Sequence, residues 1–208
     1  VRAIRDHRPN ARITWIIGKL EHRLLQDLPG VEFIVFDKRG GWPAVRELRR
    51  RLRHLHFDVL LHMQVAARAN LLSRLVRSPV RIGWDRARSR DFHHLFAHQR
   101  VASVPFQHQV QGFLEFARVL GIEVDTPRWD LPIRAEAREW AAAQLGAEQP
   151  VLLISPCSSH PLRNWNARGY AAAADFATAE LGMKVVLSGG PSKLEADMAD
   201  RIEAAMQN

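Results

Sequence analysis

Two loops in the C-terminal third carry residue types that bind phosphorylated ligands. Residues 154–165 read ISPCSSHPLRNW, between an apolar run at 151–154 and a helical pattern at 167–181. In open α/β sheets, ligands settle outside the carboxyl ends of the strands. Ser155, Ser158 and Ser159 supply hydroxyls, and free backbone N–H groups near a helix start suit a phosphate. Arg163 adds a planar cation that can hold an oxyanion through two bonds. A second reading stands beside this one: a connection in which the serines serve only turn geometry.

The second loop, residues 187–195, reads LSGGPSKLE after another apolar run, MKVVL. Gly189 and Gly190 have no side chain to hold a ligand away from the backbone. Glu195 falls near the start of the last helical pattern. A carboxylate there can accept from two ribose hydroxyls, or it can stabilise the helix N-terminus through the helix dipole.

Other residues invite chemistry but lack the partners for it. The chain has 10 histidines. His54 and His56 flank a leucine and His93 and His94 are adjacent, yet neither pair has a carboxylate or cysteine at ligand spacing, so no metal site is expected. Cys157 is the sole cysteine. No intrachain disulfide is possible, and no base stands beside it to make a nucleophile, so it reads as a small packing residue. The run RELRRRLR at 46–53 is strongly basic, but no aromatic interleaving or nucleic-acid fold accompanies it. It reads as a solvated or membrane-facing helix surface. The net charge of +8 and sequence pI of about 10.8 match either an anionic partner or a solvated basic surface. No apolar run reaches the roughly 18 residues that span a bilayer, and the charged start, VRAIRDHRPN, is not a secretory signal. A cytoplasmic setting fits.

Alternating strands and helices must position these loops. Strands are expected at 12–17 (RITWII), 31–36 (VEFIVF), 58–62 (DVLLH), 80–83 (VRIG), 151–154 (VLLI) and 183–187 (MKVVL). Helical periodicity covers 19–28, 42–55, 66–76, 108–120, 135–145, 167–181 and 192–206. This alternation specifies parallel sheets with helices on both faces. Residues 86–107 read as an irregular basic excursion with one short helix at most. The tryptophans read mostly as core or linker anchors. Residues 125–134 (DTPRWDLPIR), with two prolines and no periodicity, read as a linker. The expected domains are therefore 1–131 and 132–208. The second has only two strands, a marginal core for its size, and the first begins in a helix with no strand ahead of it. The natural product is expected to extend beyond both ends.

The order of these features resembles glycosyltransferase family 9, the bacterial ADP-heptose:lipopolysaccharide heptosyltransferases. The resemblance rests on a strand ending in Ser-Pro, a hydroxyl-rich loop, a basic residue two before Trp165, and a strand ending in Gly-Gly-Pro with a Glu soon after. FDVLLHMQ at 57–64 followed by Arg68, then VRIG at 80–83 and HQVQGFLEFARVLG at 108–121, continue it through the first domain. The resemblance implies a GT-B architecture of two Rossmann-like domains, the second incomplete here, with the acceptor in the first and the nucleotide sugar in the second. It implies inverting, metal-independent transfer of heptose from ADP-heptose to the lipopolysaccharide inner core, with no cofactor. Ser158, Ser159 and Arg163 would contact the donor diphosphate, Gly189 and Gly190 would border it, and Glu195 would bind the ribose. Arg68 and Arg88, with Arg39 and Trp84, would face an anionic Kdo-lipid A acceptor at the inner-membrane surface. The family's catalytic Asp lies upstream of Val1, and a later Asp-Ser/Thr-Gly…His loop is also outside the chain. Residues 1–208 alone are thus expected to be inactive. Arg163 stands where the family usually has Lys, and His62 where it commonly has Asp. Alternatives are a member using another nucleotide sugar, and a basic, non-catalytic binder of nucleotide sugars or nucleic acid.

Overall fold

The structure is a computed structural model that describes residues 1–124, 126–129, 131–146, 149–158 and 160–207. The chain divides into two compact units, Val1–Pro132 and Ile133–Asn208.

In the first unit, α1 (Arg2–His7) leads into β1 (Ile13–Gly18), α2 (Lys19–Leu25) and β2 (Val31–Phe36). Strands β1 and β2 pair in parallel, with Ile13 opposite Val31. Helix α3 (Gly41–Leu52), β3 (Val59–Leu61), α4 (Ala67–Ser73) and β4 (Val80–Gly83) follow. A two-residue strand, β5 (Gln99–Arg100), then adds to β4, giving a parallel order β3-β4-β5. Helix α5 (Gln109–Val119) completes the unit and ends at Gly121, whose φ of +72° suits glycine.

Side-chain alternation along β3 explains why both faces of that sheet are covered. Leu60 packs with Ile34, Leu48, Leu52 and Val76. Its neighbours Val59 and Leu61 point the other way, into a cluster of Ile82, Trp84, Val101 and Phe116. Leu48 and Leu52 are four apart on α3 and almost fully buried. Each contributes about 2 kcal/mol by leaving water.

The second unit contains α6 (Ala135–Leu145), β6 (Val151–Ile154), α7 (Ala167–Leu181), β7 (Lys184–Leu187) and α8 (Lys193–Glu203). Strands β6 and β7 are parallel, with Val151 opposite Lys184. Helix α7 buries a stripe of alanines, Ala167, Ala171, Ala174 and Ala177. The small side chains let α8 approach, and Met198 and Ile202 pack on Ala167 and Ala171. Asn166 caps the start of α7 by accepting from Gly169 N at 2.8 Å.

At residues 86–107 the one short helix expected is a 3₁₀ turn at His93–Leu95, and the structure adds a strand the sequence reading lacked, β5. Strand β5 consists of two exposed polar residues, so no apolar pattern announces it. The tryptophans also differ. Trp42, Trp129, Trp140 and Trp165 are exposed, and Trp84 alone of the six is buried.

Candidate functional site

In the second unit, the 154–165 loop lies between the carboxyl end of β6 and the start of α7. Its internal hydrogen bonds are local. Asn164 Oδ1 accepts from Ser158 N at 2.7 Å, and Ser158 Oγ donates to His160 O at 3.0 Å. His160 Nδ1 accepts from Leu162 N, capping a 3₁₀ turn at Pro161–Arg163. Trp165 stacks edge-on against Tyr170 at 5.3 Å, and Tyr170 donates its hydroxyl to Pro156 O. The loop is therefore braced from both sides. Arg163 projects from the turn, exposed, and among the described residues nothing holds its guanidinium. Ser159 lies outside the described residues. Asn164, which the sequence reading passed over, is the loop's organiser, and its Nδ2 is buried without a hydrogen-bond partner. Cys157 is half-buried and packs against the Ala167 cluster.

Glu195 occupies the position that the helix-start reading describes. Its Oε1 accepts from Gly190 N at 3.0 Å and its Oε2 from Ser192 Oγ at 2.6 Å, while Glu195 N donates to Ser192 Oγ. This is a Ser-x-x-Glu capping arrangement for α8. The Ser192 hydroxyl, with Gly190 N second, holds the carboxyl below its ordinary range. The two glycines also have a different explanation from the one expected. Neither has a positive φ. A Cβ on Gly190 would lie 2.9 Å from Glu195 Oε2, and one on Gly189 would lie 3.4 Å from Glu195 Cβ. What approaches their backbone in this structure is the Glu195 side chain.

In the first unit, the carboxyl ends of the strands carry the cations. Lys19 follows β1 and pairs with Asp37 at 2.7 Å. Lys38 and Arg39 follow β2, and Arg68, at the start of α4, donates to Lys38 O at 2.8 Å. The structure thus brings Arg68, in the first turn of α4, beside the loop that carries Arg39, both exposed.

Trp84 and Arg88 require correction. Trp84 is 4% exposed, packs edge-on against Phe116 and donates Nε1–H to Met63 O at 2.8 Å. It is a core residue. Arg88 stacks on Trp84 at 4.7 Å and uses all three guanidinium nitrogens internally, on Asp85, Gln107 and Ala102 O. It fastens the 85–107 segment instead of facing a ligand. Arg86, Arg90 and, on β5, Arg100 are exposed and without a side-chain partner among the described residues; Arg86 and Arg90 share the loop with Arg88.

His93 is fully buried, in a network with His62 and Asn70. No group of three or more His, Cys, Asp or Glu side chains is placed to hold a metal among the described residues. On α3, Arg50 and Arg51 both bind Glu47 and hold its pKa down to about 2. That surface is a solvated charge ladder. No helix is long and apolar enough to cross a membrane among the described residues.

Parallel sheets flanked by helices, with a braced, hydroxyl- and cation-bearing loop at the carboxyl end of β6, make this a Rossmann-like α/β chain of the kind that binds ligands at its strand ends. The sequence profile of glycosyltransferase family 9 (heptosyltransferase) matches residues 45–208. The lipopolysaccharide core heptosyltransferase OpsX of Haemophilus influenzae is 34% identical over 204 residues, which cover 98% of this chain and 58% of that protein. The family 9 glycosyltransferase of Veillonella parvula superposes with a TM-score of 0.79 at 21% identity, over 100% of this chain and 61% of that one. Escherichia coli heptosyltransferase WaaC, solved with ADP-2-deoxy-2-fluoro heptose, gives a TM-score of 0.72 at 18% identity, over 97% and 66%. The chain belongs to glycosyltransferase family 9 and has the GT-B fold of its members. It spans less than two thirds of the length of each of these relatives.

Proposed function

We propose that the protein containing this chain transfers heptose from ADP-heptose to the inner core of lipopolysaccharide, with inversion and without a metal or other cofactor. The observation that carries this reading is the 34% identity, along nearly the whole chain, to a lipopolysaccharide core heptosyltransferase. The β6–α7 loop supports it. Arg163 is a permanent cation with no internal partner among the described residues, on a braced loop at the strand end where α/β folds bind ligands. The second unit would bind the nucleotide sugar and the first the acceptor.

The reaction is a displacement at the anomeric carbon. A base, expected in a part of the protein outside this chain, takes the proton of the acceptor hydroxyl. Negative charge grows on the departing diphosphate, and Arg163 and the loop's N–H groups would offset it. Ser158 and Ser159 would add hydroxyl contacts. Glu195 has lone pairs left for a ribose hydroxyl beyond those used by Gly190 and Ser192. On the acceptor side, exposed Arg39 and Arg68 give an anionic, Kdo-bearing lipid a cationic edge, and the net charge of +8 draws the protein to an anionic membrane surface. The protein would act in the cytoplasm, peripheral to the inner membrane.

Calorimetric binding of ADP, UDP and GDP to the full-length protein tests the donor assignment, with Arg163→Ala alongside. The expected result is a preference for ADP and a loss of about 10²–10³ in transfer rate for the variant. Preference for UDP or GDP rejects the heptose donor. Undiminished ADP binding and turnover in Arg163→Ala rejects the role of the loop.

A further inference from the structure

Between the carboxyl ends of β3 and β4 lies a closed set of hydrogen bonds that the proposed reaction does not use. Asn70 of α4 is 1% exposed and sits at its centre. Its Oδ1 accepts from His62 Nε2 at 2.9 Å and from His93 Nδ1 at 2.8 Å. Its Nδ2 donates to Asp91 O at 2.8 Å and to Val65 O at 3.3 Å. All four hydrogen-bonding positions of the amide are filled. His93 Nε2 accepts from Trp84 N at 3.1 Å. That acceptor role requires Nε2 to be bare, so His93 carries its proton on Nδ1, and His62 donates from Nε2. His93 is therefore neutral in this arrangement, and burial keeps the His62 ring neutral beside it.

These bonds converge on a strained stretch of backbone. Asp91 and Phe92 have φ of 48° and 59°, values that bulky residues rarely adopt. Asp91 is held on both sides, its carbonyl by Asn70 and its Oδ2 by Ala67 N at 2.9 Å. Gly83 leaves the room for this: a Cβ there would lie 2.6 Å from His93 Nε2. Strain of this kind persists only where surrounding contacts enforce it, and it gathers at functional loops. The loop so enforced, residues 84–92, carries Arg86 and Arg90, whose guanidiniums are free among the described residues. Arg88 in the same loop anchors it from the other side.

We propose that His62, Asn70 and His93 are positioning residues: a neutral buried clamp that fixes the 84–92 loop so that Arg86 and Arg90 meet the carboxylates or phosphates of the anionic acceptor. The assignment rests on reading the first unit as the acceptor side. It replaces Arg88 by Arg86 and Arg90 as the cations of this loop that face the acceptor, and it gives the histidine at position 62 a task.

The test uses the full-length protein with Asn70→Asp, which keeps the shape and removes the amide donors, and with the milder His62→Asn. The first readout needs no substrate: the rate of tryptic cleavage after Arg86 and Arg90 in the native protein. Release of the loop raises it about tenfold or more, since the populations of closed and open loop set the cleavage rate. Unchanged cleavage in both folded variants overturns the clamp. The second readout is steady-state kinetics. The Michaelis constant for the acceptor rises roughly tenfold or more, while that for the donor stays within about twofold. In an Arg86→Gln/Arg90→Gln background, Asn70→Asp adds nothing further to the acceptor effect, because the clamp acts through those two side chains. Equal changes for donor and acceptor, or full additivity, overturn the link to the acceptor. Failure of the unmutated protein to transfer heptose to a Kdo-bearing acceptor refutes the proposed function, and the proteolysis readout separates that outcome from failure of the clamp.

Discussion

Lowering the pH from 7 towards 4 should destabilise the first unit well before its paired carboxylates titrate. His62 is 6% exposed, and burial, with His93 and Arg81 nearby, brings its pKa down to about 4, against the opposing pull of the Asn70 hydrogen bond. His93 is lowered too, by burial first and by His94. Asp91, whose carbonyl accepts from Asn70, has its carboxylate engaged by Ala67 N. The unfolded chain takes up a proton at His62 near the ordinary value of about 6.5, and the folded chain does so only near 4. Stability from His62 is therefore complete above about 6.5 and is lost as the pH falls to about 4. The difference corresponds to on the order of 3 kcal/mol, a large part of a typical domain's stability. The carboxylates of Glu47, Asp37, Asp85 and Glu195 are shifted down, so their contributions fall away at lower pH. Urea unfolding across the series, followed by the fluorescence of buried Trp84, measures the effect. In His62→Gln, which stays neutral and can still donate to Asn70, the slope between pH 6.5 and 4 should flatten by most of that amount. Parallel losses in the variant and the unmutated protein would refute the assignment of the slope to His62.

Two further substitutions probe the local packing. Glu195→Ala removes the capping arrangement of α8 and should cost about 1 kcal/mol in thermal or urea unfolding; a drop in ADP affinity with unchanged stability would instead make Glu195 a ribose ligand alone. Gly83→Ala places a methyl 2.6 Å from both Ala97 Cβ and His93 Nε2, an overpacking that should cost about 1–3 kcal/mol, and unaltered unfolding would contradict the close approach of His93.

Much of the fold was legible because burial leaves a local trace. Apolar runs marked every strand but β5, whose two residues are polar and pair only along the edge of β4. The helical pattern from 192 put Glu195 near a helix start, and both readings of Glu195 were open until its carboxylate was seen bonded to Gly190 and Ser192. The candidate site was less legible. Arg86, Arg88 and Arg90 are alike in sequence, and only the surroundings show that Arg88 is occupied by Asp85, Gln107 and Ala102 while its neighbours are free. Trp84 carries no local sign that separates a core ring from a binding one.

By itself the sequence determined the alternation of strands and helices, the hydroxyl-rich loop after β6 and membership of the family, because each is written in residues close together along the chain. The tertiary structure decided which polar groups are engaged within the protein and which are left for a ligand. His62 meets Asn70 across 8 residues and Asn70 meets His93 across 23. Pairings at that range depend on how α4 and the ends of β3 and β4 pack, and no local pattern of residue types encodes them.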